Sequence, residues 1–420
     1  MSSNGVQPAL RERVLGQVEA DAAEAIDFLK ELVRIPSLSG EEAACQEAIR
    51  QRMRSISLEV HDVADPGKVD SIVGIAAGQE RGAGRSLILN GHVDVVSPGP
   101  LEPWTKAPWN AEEIGGRLYG RGACDMKAGL AGMLMALTSL RRCGVRLSGD
   151  VILESVVEEE TGGAGTRACA LAGFRADGAI IGEPTGLGIC PVSRGGAWFS
   201  IVVHGQEAHS GVSWRGISAL EQTLPILECL RQFKVQRTNR LRDLNPVFRD
   251  CPEPFPLFIG MVKCGTAPNT VPGLCELRGV LGIAPSETIT AARAEMAVAM
   301  DGCRSRADVP RPVLSWLPTH FEPAGIPPTH PLVNACVQAC EAVPGHQSRI
   351  EGFPSGCDQG LLIQQANTPA IVFGPGSLGE AHSRDESVEL KEYVEYVKII
   401  AMLLVNWCGS SRTCYTSAHK

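Results

Sequence analysis

The chain has 420 residues, of which 44% are hydrophobic and 20% are charged, with a formal net charge of −8. This length exceeds what one hydrophobic core usually serves, so two domains are expected. The acidic balance, without any basic run, argues against a nucleic-acid partner and against binding to an anionic membrane.

Two further features concern the compartment. The start of the chain, Met1–Arg13, is polar and lacks the basic-then-apolar pattern of a signal peptide, and no apolar run reaches the roughly 18 residues of a membrane span. We therefore expect a cytoplasmic protein. The 15 cysteines are scattered singly, which in a reducing compartment favours small buried side chains over disulfides or a zinc knot.

Helices alternate with short apolar runs along most of the chain. Apolar residues at helical spacing predict helices at Ala22–Ile35, Glu41–Met53 and Met126–Arg142. Buried strands are predicted at Ser71–Ala76, Ser86–Leu89, Val151–Val157, Gly178–Ile181 and Pro369–Phe373. This alternation predicts an α/β fold with a mixed, mostly parallel sheet flanked by helices.

Residues 194–315 have a different pattern, in which strands and helices form two strand–helix blocks. The predicted elements are strands at Ala197–His204, Leu257–Lys263 and Cys275–Ile283, and helices at Ile217–Phe233 and Glu287–Met300. We interpret this stretch as a compact α+β unit inserted into the first domain. The first domain is then made of two parts, residues 1–193 and 316–420.

Four of the predicted strands run into an acid or a histidine. These segments are Asn90-Gly91-His92-Val93-Asp94, Glu158-Glu159-Glu160, Gly182-Glu183-Pro184 and Ala381-His382. The carboxyl ends of strands in an open α/β sheet converge on one crevice, where ligands bind. Imidazoles and carboxylates gathered there form a nitrogen and oxygen cluster that suits zinc, cobalt or manganese.

Several candidate residues could also have an ordinary structural role. His92 and Asp94 lie two apart, so Asp94 could accept a proton from the second ring nitrogen of His92. Asp125 follows a glycine-rich turn just before a helix, where it could serve as the N-cap, as a metal ligand, or as both. The triplet Glu158–Glu160 needs a cation to offset its mutual repulsion unless it is a solvated acidic turn.

Taken together, five motifs identify a family resemblance. The motifs are Gly91-His92-Val93-Asp94-Val95-Val96, Gly120-Arg121-Gly122-Ala123-Cys124-Asp125-Met126-Lys127-Ala128-Gly129, Glu158-Glu159-Glu160-Thr161-Gly162-Gly163-Ala164-Gly165, Gly182-Glu183-Pro184-Thr185 and Glu380-Ala381-His382-Ser383. In this order they resemble the acetylornithine deacetylase and succinyl-diaminopimelate desuccinylase family, which also contains aminoacylases and glutamate carboxypeptidases. The match runs from about Leu29 to Val405. The resemblance implies a zinc-exopeptidase-like catalytic domain with an inserted ferredoxin-like lid and dimerisation domain.

The resemblance also implies two divalent metal ions, with zinc expected first and cobalt or manganese as alternatives. The implied ligands are Asp125 as the bridge, His92 and Glu183 on one ion, and Glu160 and His382 on the other. Glu159 matches the general base of the family, and Asp94 matches the residue that orients His92. The ions would make a bound water acidic enough to attack an amide carbonyl, while Glu159 returns its proton to the leaving amine.

The inserted unit carries two further family positions. His209 resembles the histidine that donates to the tetrahedral oxyanion, often across a dimer into the partner's site. Asn269, in Pro268-Asn269-Thr270-Val271-Pro272, resembles a substrate-binding position. A homodimer formed through the inserted unit is therefore expected, with a small N-acyl substrate and no nucleic-acid or membrane partner. Four other histidines, at positions 204, 320, 330 and 346, are left as structural or surface residues.

One position departs from the family pattern. Many relatives carry an arginine on the strand after Asn-x-Val-Pro, where it binds the substrate carboxylate, but this chain has Gly282 there. Arg278 lies on the same strand and would substitute only with a shifted register. Recognition of a carboxylate, and with it acetylornithine as the substrate, is therefore in question.

The main hypothesis is a metal-dependent hydrolase that removes a small acyl group from an amine or amino acid. Glu183 favours this branch, because related aminopeptidases usually have aspartate there. The alternative is a dipeptidase or carboxypeptidase that uses the same site. A third hypothesis, a binding protein without catalysis, would require the loss of Glu159 or of a ligand, and the chain keeps all of them.

Overall fold

A computed structural model describes residues 7–79, 84–303 and 310–410. These residues form two compact units. The first contains the chain up to Pro191, Gly325–Glu351, and the chain from Cys357 onward. The second contains Val192–Ala324 and Gly352–Gly356, so it interrupts the first unit in sequence.

The helices, in chain order, are α1 (Pro8–Ala20), α2 (Ala22–Arg34), α3 (Ala43–Ser55), α4 (Lys127–Arg142), α5 (Ala164–Ala172), α6 (Ala219–Leu244), α7 (Ile289–Gly302), α8 (Pro331–Glu341), α9 (Gln359–Gln364) and α10 (Leu390–Cys408). Short 3₁₀ turns lie at Ser210–Arg215 and Pro246–Phe248. The strands are β1 (Glu59–Val63), β2 (Ser71–Ala76), β3 (Leu87–His92), β4 (Glu112–Ile114), β5 (Arg117–Tyr119), β6 (Val151–Val156), β7 (Ala179–Ile181), β8 (Ile189–Ser193), β9 (Gly195–His204), β10 (Leu257–Cys264), β11 (Leu274–Ile283), β12 (Val313–Phe321), β13 (Ala324–Gly325), β14 (Ile350–Phe353), β15 (Ala370–Val372) and β16 (Ser387–Glu389).

The first unit is built on a mixed sheet in which β1, β2, β6, β3, β7 and β15 are successive neighbours. Strand β2 is antiparallel to β1 and β6, whereas β6, β3, β7 and β15 run parallel to one another. Strands β3 and β6 are buried along their whole length, as their apolar sequences predict. The predicted α/β fold with a mixed sheet is confirmed, and its parallel strands end at one edge of the sheet.

Helix α4 is the most deeply buried of the helices that flank this sheet. All of its residues from Lys127 to Leu140 are buried, so this part of the helix is covered by protein on every side. The one charged group of this buried stretch, the Lys127 ammonium, donates to the carbonyl oxygens of Leu32 at 2.9 Å and Ile35 at 2.8 Å. No helix in the described ranges has both the length and the apolar character that crossing a membrane requires.

The second unit has a four-stranded sheet with the order β10-β11-β9-β12, and each neighbouring pair is antiparallel. Helices α6 and α7 follow β9 and β11, so the unit has a βαββαβ chain order. Apolar side chains of β9, β11 and both helices form its core. Strand β12 belongs to this sheet, so the unit extends to Ala324, beyond the boundary expected at residue 315.

One expectation about the cysteines is wrong. Cys229 on α6 and Cys303, just after α7, form a disulfide in the second unit. Sequence spacing did not indicate this pair, because 74 residues separate the two cysteines and neither belongs to a recognisable motif. Most of the remaining described cysteines are buried as free thiols, as expected.

A close backbone approach ties helix α4 to the segment that precedes Glu183. A Cβ atom at Gly129 would lie 2.0 Å from the carbonyl oxygen of Gly182, much nearer than real Cβ contacts allow. Gly16, in the middle of α1, offers a matched comparison, because a Cβ there meets no heavy atom within 4 Å.

We expect Gly129→Ala to lower the free energy of unfolding by about 1–3 kcal/mol, because the methyl group must push the helix away from Gly182. Gly16→Ala should instead raise it by about 0.5–1 kcal/mol, as alanine does in an open helix interior. Urea titration followed by circular dichroism measures both variants. Equal stabilisation by the two alanines would contradict the close approach.

Candidate active site

Asp125 lies between two histidines, and each of its carboxylate oxygens faces one of them. Oδ1 is 3.2 Å from Nε2 of His92, and Oδ2 is 3.3 Å from Nε2 of His382. A second carboxylate accompanies each histidine: Glu183 Oε1 is 3.6 Å from His92 Nε2, and Glu160 Oε1 is 3.0 Å from His382 Nε2. The five predicted ligands thus come together as two histidine–carboxylate groups that share Asp125.

The sheet explains why these side chains meet. His92 is the last residue of β3, while Glu160 and Glu183 follow β6 and β7, the two strands that flank β3 in parallel. Asp125 lies in the turn just before α4, and His382 lies in the loop between β15 and β16. Adjacent parallel strands therefore supply three of the residues, and two long connections supply the others.

Asp125 is not the N-cap of the following helix. The cap position of α4 is Met126, and no side chain makes a capping hydrogen bond there. The carboxylate instead faces the two imidazoles and is almost completely buried. Of the two roles that the sequence left open for Asp125, the capping role is wrong.

In the acidic triplet Glu158–Glu160, one side chain points outward and the other two point inward. Glu158 has a positive φ of 55°, and its carboxylate pairs with the Lys68 ammonium. Glu159 and Glu160 remain on the side of His92 and His382. The lysine offsets one of the three charges, and the left-handed backbone at Glu158 lets consecutive acids point in different directions.

The described contacts of Asp94 differ from the expected ones. Nδ1 of His92 is 2.9 Å from the main-chain carbonyl oxygen of Asp94 but 3.5 Å from its nearer carboxylate oxygen. The Asp94 carboxylate accepts main-chain N–H bonds instead, from Glu159 on Oδ1 and from Glu160 on Oδ2, each at 3.1 Å. The side chain therefore contacts the turn that carries the acids more directly than it contacts the imidazole.

Burial and crowding perturb the ionisation of this cluster. Burial, with the nearby charge of Glu183, raises the pKa of Glu159 well above its ordinary value, and burial with Asp125 does the same for Glu183. Burial would lower the pKa of His382, but hydrogen bonding to Asp125 and Glu160 raises it to about 10. The cluster therefore holds more carboxylates than it can keep ionised without protons or a cation.

The donor set fits divalent metal ions. Donor atoms of His92, Asp125 and Glu160 lie within 4.8 Å of one another, and so do those of His92, Glu159 and Glu183. Imidazole nitrogens and carboxylate oxygens are the ligands that zinc, cobalt and manganese take in proteins. A cation at either group would replace the protons that the repelling carboxylates otherwise retain.

Sequence reasoning missed a buried acid beneath the turn that carries Asp125. Glu386 is fully buried, and its Oε1 accepts the main-chain N–H groups of Cys124 at 2.9 Å and Asp125 at 3.0 Å. Its other oxygen pairs with the buried guanidinium of Arg121. The available signal was an acid four residues after His382. An acid in a loop ordinarily faces solvent, so this signal alone did not indicate a buried side chain.

A second missed group lies along the strands below the ligands. Asn90 Nδ2 donates to Glu154 Oε2 and to Thr166 Oγ1, each at 2.9 Å, and Thr166 Oγ1 donates to Asp358 Oδ2 at 2.5 Å. Burial raises the pKa of Glu154 to about 7 and that of Asp358 to about 6. The signal for this network was an acid within the apolar run Val151–Val157.

In the second unit, His209 and Asn269 are neighbours. The main-chain N–H of Ser210 donates to the carbonyl oxygen of Asn269 at 2.9 Å, and His209 pairs with Thr270 in a β-bridge. Nδ1 of the exposed His209 ring accepts the N–H of Gly211 at 3.1 Å. A neutral ring that accepts at Nδ1 carries its proton on Nε2, so the outer nitrogen is a hydrogen-bond donor.

Gly282, at the strand position where the family resemblance leads us to expect arginine, has no room for a side chain. A Cβ at Gly282 would lie 2.8 Å from Cδ of Pro256 and 3.0 Å from the carbonyl carbon of Phe255. Arg278, the alternative on the same strand, donates from Nε to Glu276 Oε1 at 2.7 Å. Any arginine at Gly282 would therefore need a different backbone path.

Comparison with known proteins settles the family. Residues 88–406 match the family described as peptidase family M20/M25/M40. The chain belongs to this family. Its members are hydrolases that act on amide bonds, and the chain is an enzyme of this kind. The family predicted from the motifs is confirmed.

Two relatives cover most of the chain. The N-formyl-4-amino-5-aminomethyl-2-methylpyrimidine deformylase of Bacillus subtilis is 30% identical over 365 residues, which are 81% of this chain and 84% of that protein. The acetylornithine deacetylase of Klebsiella pneumoniae is 29% identical over 397 residues, 91% of this chain and 97% of that protein.

Among solved structures, the dipeptidase Dug1p of Saccharomyces cerevisiae has a TM-score of 0.76 at 14% identity, covering 96% of this chain and 99% of that one. That likeness supports the fold alone.

Proposed function

We propose that this M20-family enzyme is a deacylase that binds two divalent cations, zinc first and cobalt or manganese as alternatives. The observation that carries the proposal is the position of Asp125, whose two oxygens face two separate histidines. His92 with Glu183 would hold one cation and His382 with Glu160 the other, with Asp125 shared. When bound, such a pair of ions supplies Lewis acidity that lowers the pKa of a water and polarises a carbonyl.

Glu159 would act as the general base. Its carboxylate is buried beside His92 and Glu183, where burial and repulsion by Glu183 favour the protonated form once a proton is offered. It would take the proton from the attacking water and return it to the nitrogen of the leaving amine. Asp94 would position Glu159 by holding the main-chain N–H of that residue.

The substrate would be a small N-acyl amine without a carboxylate next to the scissile amide. Relatives named for deformylation and for deacetylation both cover this chain, which supports a small acyl group. Two observations support an amine without that carboxylate: Gly282 has no side chain and no room for one, and Nε of Arg278 already donates to Glu276.

We expect Glu159→Gln to lower kcat by about 10²–10⁴-fold, because the amide cannot take a proton from water. The content of bound metal per chain should stay at the wild-type value, since the proposed ligands are unchanged. Glu158→Gln is the matched control, since this neighbouring acid points outward to Lys68 and should retain most of the activity. Near wild-type turnover by Glu159→Gln would refute the assigned base.

A substrate panel tests the proposed reaction itself. We expect chelator-sensitive release of formyl or acetyl groups from N-acyl amines, with kcat/KM at least as high for amines without an α-carboxylate as for their carboxylate-bearing counterparts. Preferential cleavage of dipeptides would support the dipeptidase alternative instead. A strong preference for the carboxylate would contradict the interpretation of Gly282.

We also propose that the second unit is a lid and dimerisation domain and that the enzyme is a homodimer. Strand β10 lies at the end of the sheet order, and its side chains of Phe258, Met261 and Val262 are 61–64% exposed. An open strand edge with exposed apolar side chains is suited to pairing with a second copy. His209, with a donor at Nε2, would then supply the oxyanion contact to the partner's site, and Asn269 beside it would contact substrate.

Mixing two inactive variants tests this arrangement. If His209 serves the partner subunit, co-expressed Glu159→Gln and His209→Ala chains should form heterodimers with one complete site, giving about a quarter of wild-type activity at random assembly. Each variant alone should stay nearly inactive, and analytical ultracentrifugation should show dimers throughout. Dimers of mixed composition with no recovered activity would show that His209 does not act across the interface.

A further inference from the structure

The turn that carries Asp125 and the turn that carries Glu159 and Glu160 are held by the same type of contact. In each, a fully buried carboxylate accepts two consecutive main-chain N–H groups. Asp94 accepts from Glu159 and Glu160, each at 3.1 Å, and Glu386 accepts from Cys124 at 2.9 Å and Asp125 at 3.0 Å. Both acids are 0% exposed. Two adjacent N–H groups on one carboxylate fix the orientation of the turn, because rotating either peptide breaks a charge-assisted hydrogen bond.

We propose that Glu386 is a positioning residue that sets the Asp125 carboxylate between His92 and His382. This inference rests on the proposed role of Asp125 as the shared ligand. Glu386 contacts neither histidine by any described bond and acts through the main chain of Asp125.

A small sheet places Glu386 beneath this turn. Strand β16 begins directly after Glu386 and pairs with β5, where Ser387 is opposite Tyr119. The main-chain N–H of Gly120 donates to the carbonyl oxygen of Glu386 at 2.8 Å, which continues the pairing toward the turn. The backbone of Glu386 and its side chain thus hold opposite ends of residues 120–125.

Arg121 offsets the energetic cost of burying the Glu386 carboxylate. Its guanidinium is only 3% exposed, pairs with the outer oxygen of Glu386, and lies 5.3 Å from the centroid of the Trp104 ring. The arginine fixes which oxygen of Glu386 faces the turn, because the other one is occupied. Glu386 therefore binds residues 121, 124 and 125 at once. Without Arg121, the buried charge of Glu386 would be uncompensated and energetically costly.

The test compares metal binding by folded protein, not activity. Glu386→Gln preserves shape but gives the side chain an amide that must turn its oxygen toward Arg121, which leaves an NH₂ group facing the two N–H donors. We expect the affinity for Co²⁺, measured by isothermal titration of chelator-treated protein, to fall by about 10–100-fold. The visible absorption spectrum of the bound Co²⁺ should change as well, since the Asp125 oxygens move.

The double variant Arg121→Met/Glu386→Gln should recover part of the lost affinity, because the amide oxygen is then free to accept from the turn. Asp150→Asn is the matched control: Asp150 also accepts a main-chain N–H, from Gly78 at 2.7 Å, but it precedes β6 at the end opposite to Glu159. It should leave Co²⁺ affinity and spectrum unchanged. If Glu386→Gln lowers only the unfolding free energy and keeps both Co²⁺ readouts, the positioning role is overturned.

Two further measurements distinguish a failure of the proposed function from a failure of the positioning role of Glu386. Asp125→Asn should lose Co²⁺ binding; if it does not, the proposed function fails before this inference is reached. If Asp125→Asn loses the metal while Glu386→Gln keeps wild-type affinity, only the positioning role is wrong. Should Glu386→Gln not fold, hydrogen exchange in the unmodified metal-free enzyme decides, because slow exchange of the Cys124 and Asp125 amides is expected and fast exchange would overturn the proposal.

Discussion

Repulsion among buried carboxylates is the constraint on which the rest of this site depends. Asp125, Glu159, Glu160 and Glu183 are gathered at one edge of the sheet with only two imidazoles to offset them, and burial raises the pKa of the last three. Such a cluster lowers the stability of the empty fold and favours any divalent cation that enters it. The remainder of the first unit can be understood as the means of holding these groups together despite that cost.

Three kinds of contact hold them. Parallel pairing of β6, β3 and β7 fixes the strand ends, and burial of all three strands removes alternative registers. Buried carboxylates, Asp94 and Glu386, bind the main chain of the turns. Glycine at positions 129 and 182 lets α4 approach the segment before Glu183 at a distance that no side chain allows. Each contact acts on the backbone, which leaves the side-chain oxygens of Asp125, Glu160 and Glu183 free for the proposed cations.

The sequence predicted the layered α/β unit, most of its strands and the family, because apolar periodicity and consecutive motifs are local properties. It also named Asp125 and the four residues that the structure gathers around it, although five motifs in order were needed to do so. It missed Glu386 and the group formed by Asn90, Glu154, Thr166 and Asp358. The partners in these contacts are 64–265 residues apart, and each residue alone has an ordinary local context. The Cys229–Cys303 pair and the main-chain contacts of Asp94 with Glu159 and Glu160 were missed for the same reason.

The distance along the chain between Asp125 and Glu386 also bears on how the protein is made. These two residues are 261 positions apart, and Glu386 is among the last structured segments to be synthesised. A ribosome would expose the acids after β3, β6 and β7 long before the carboxylate that orients the Asp125 turn exists. Under the proposed function, the nascent chain would then hold an incomplete set of metal ligands, able to bind metal loosely or in the wrong geometry. Under the proposed function, the Asp125 carboxylate would take its final orientation only when β16 pairs with β5.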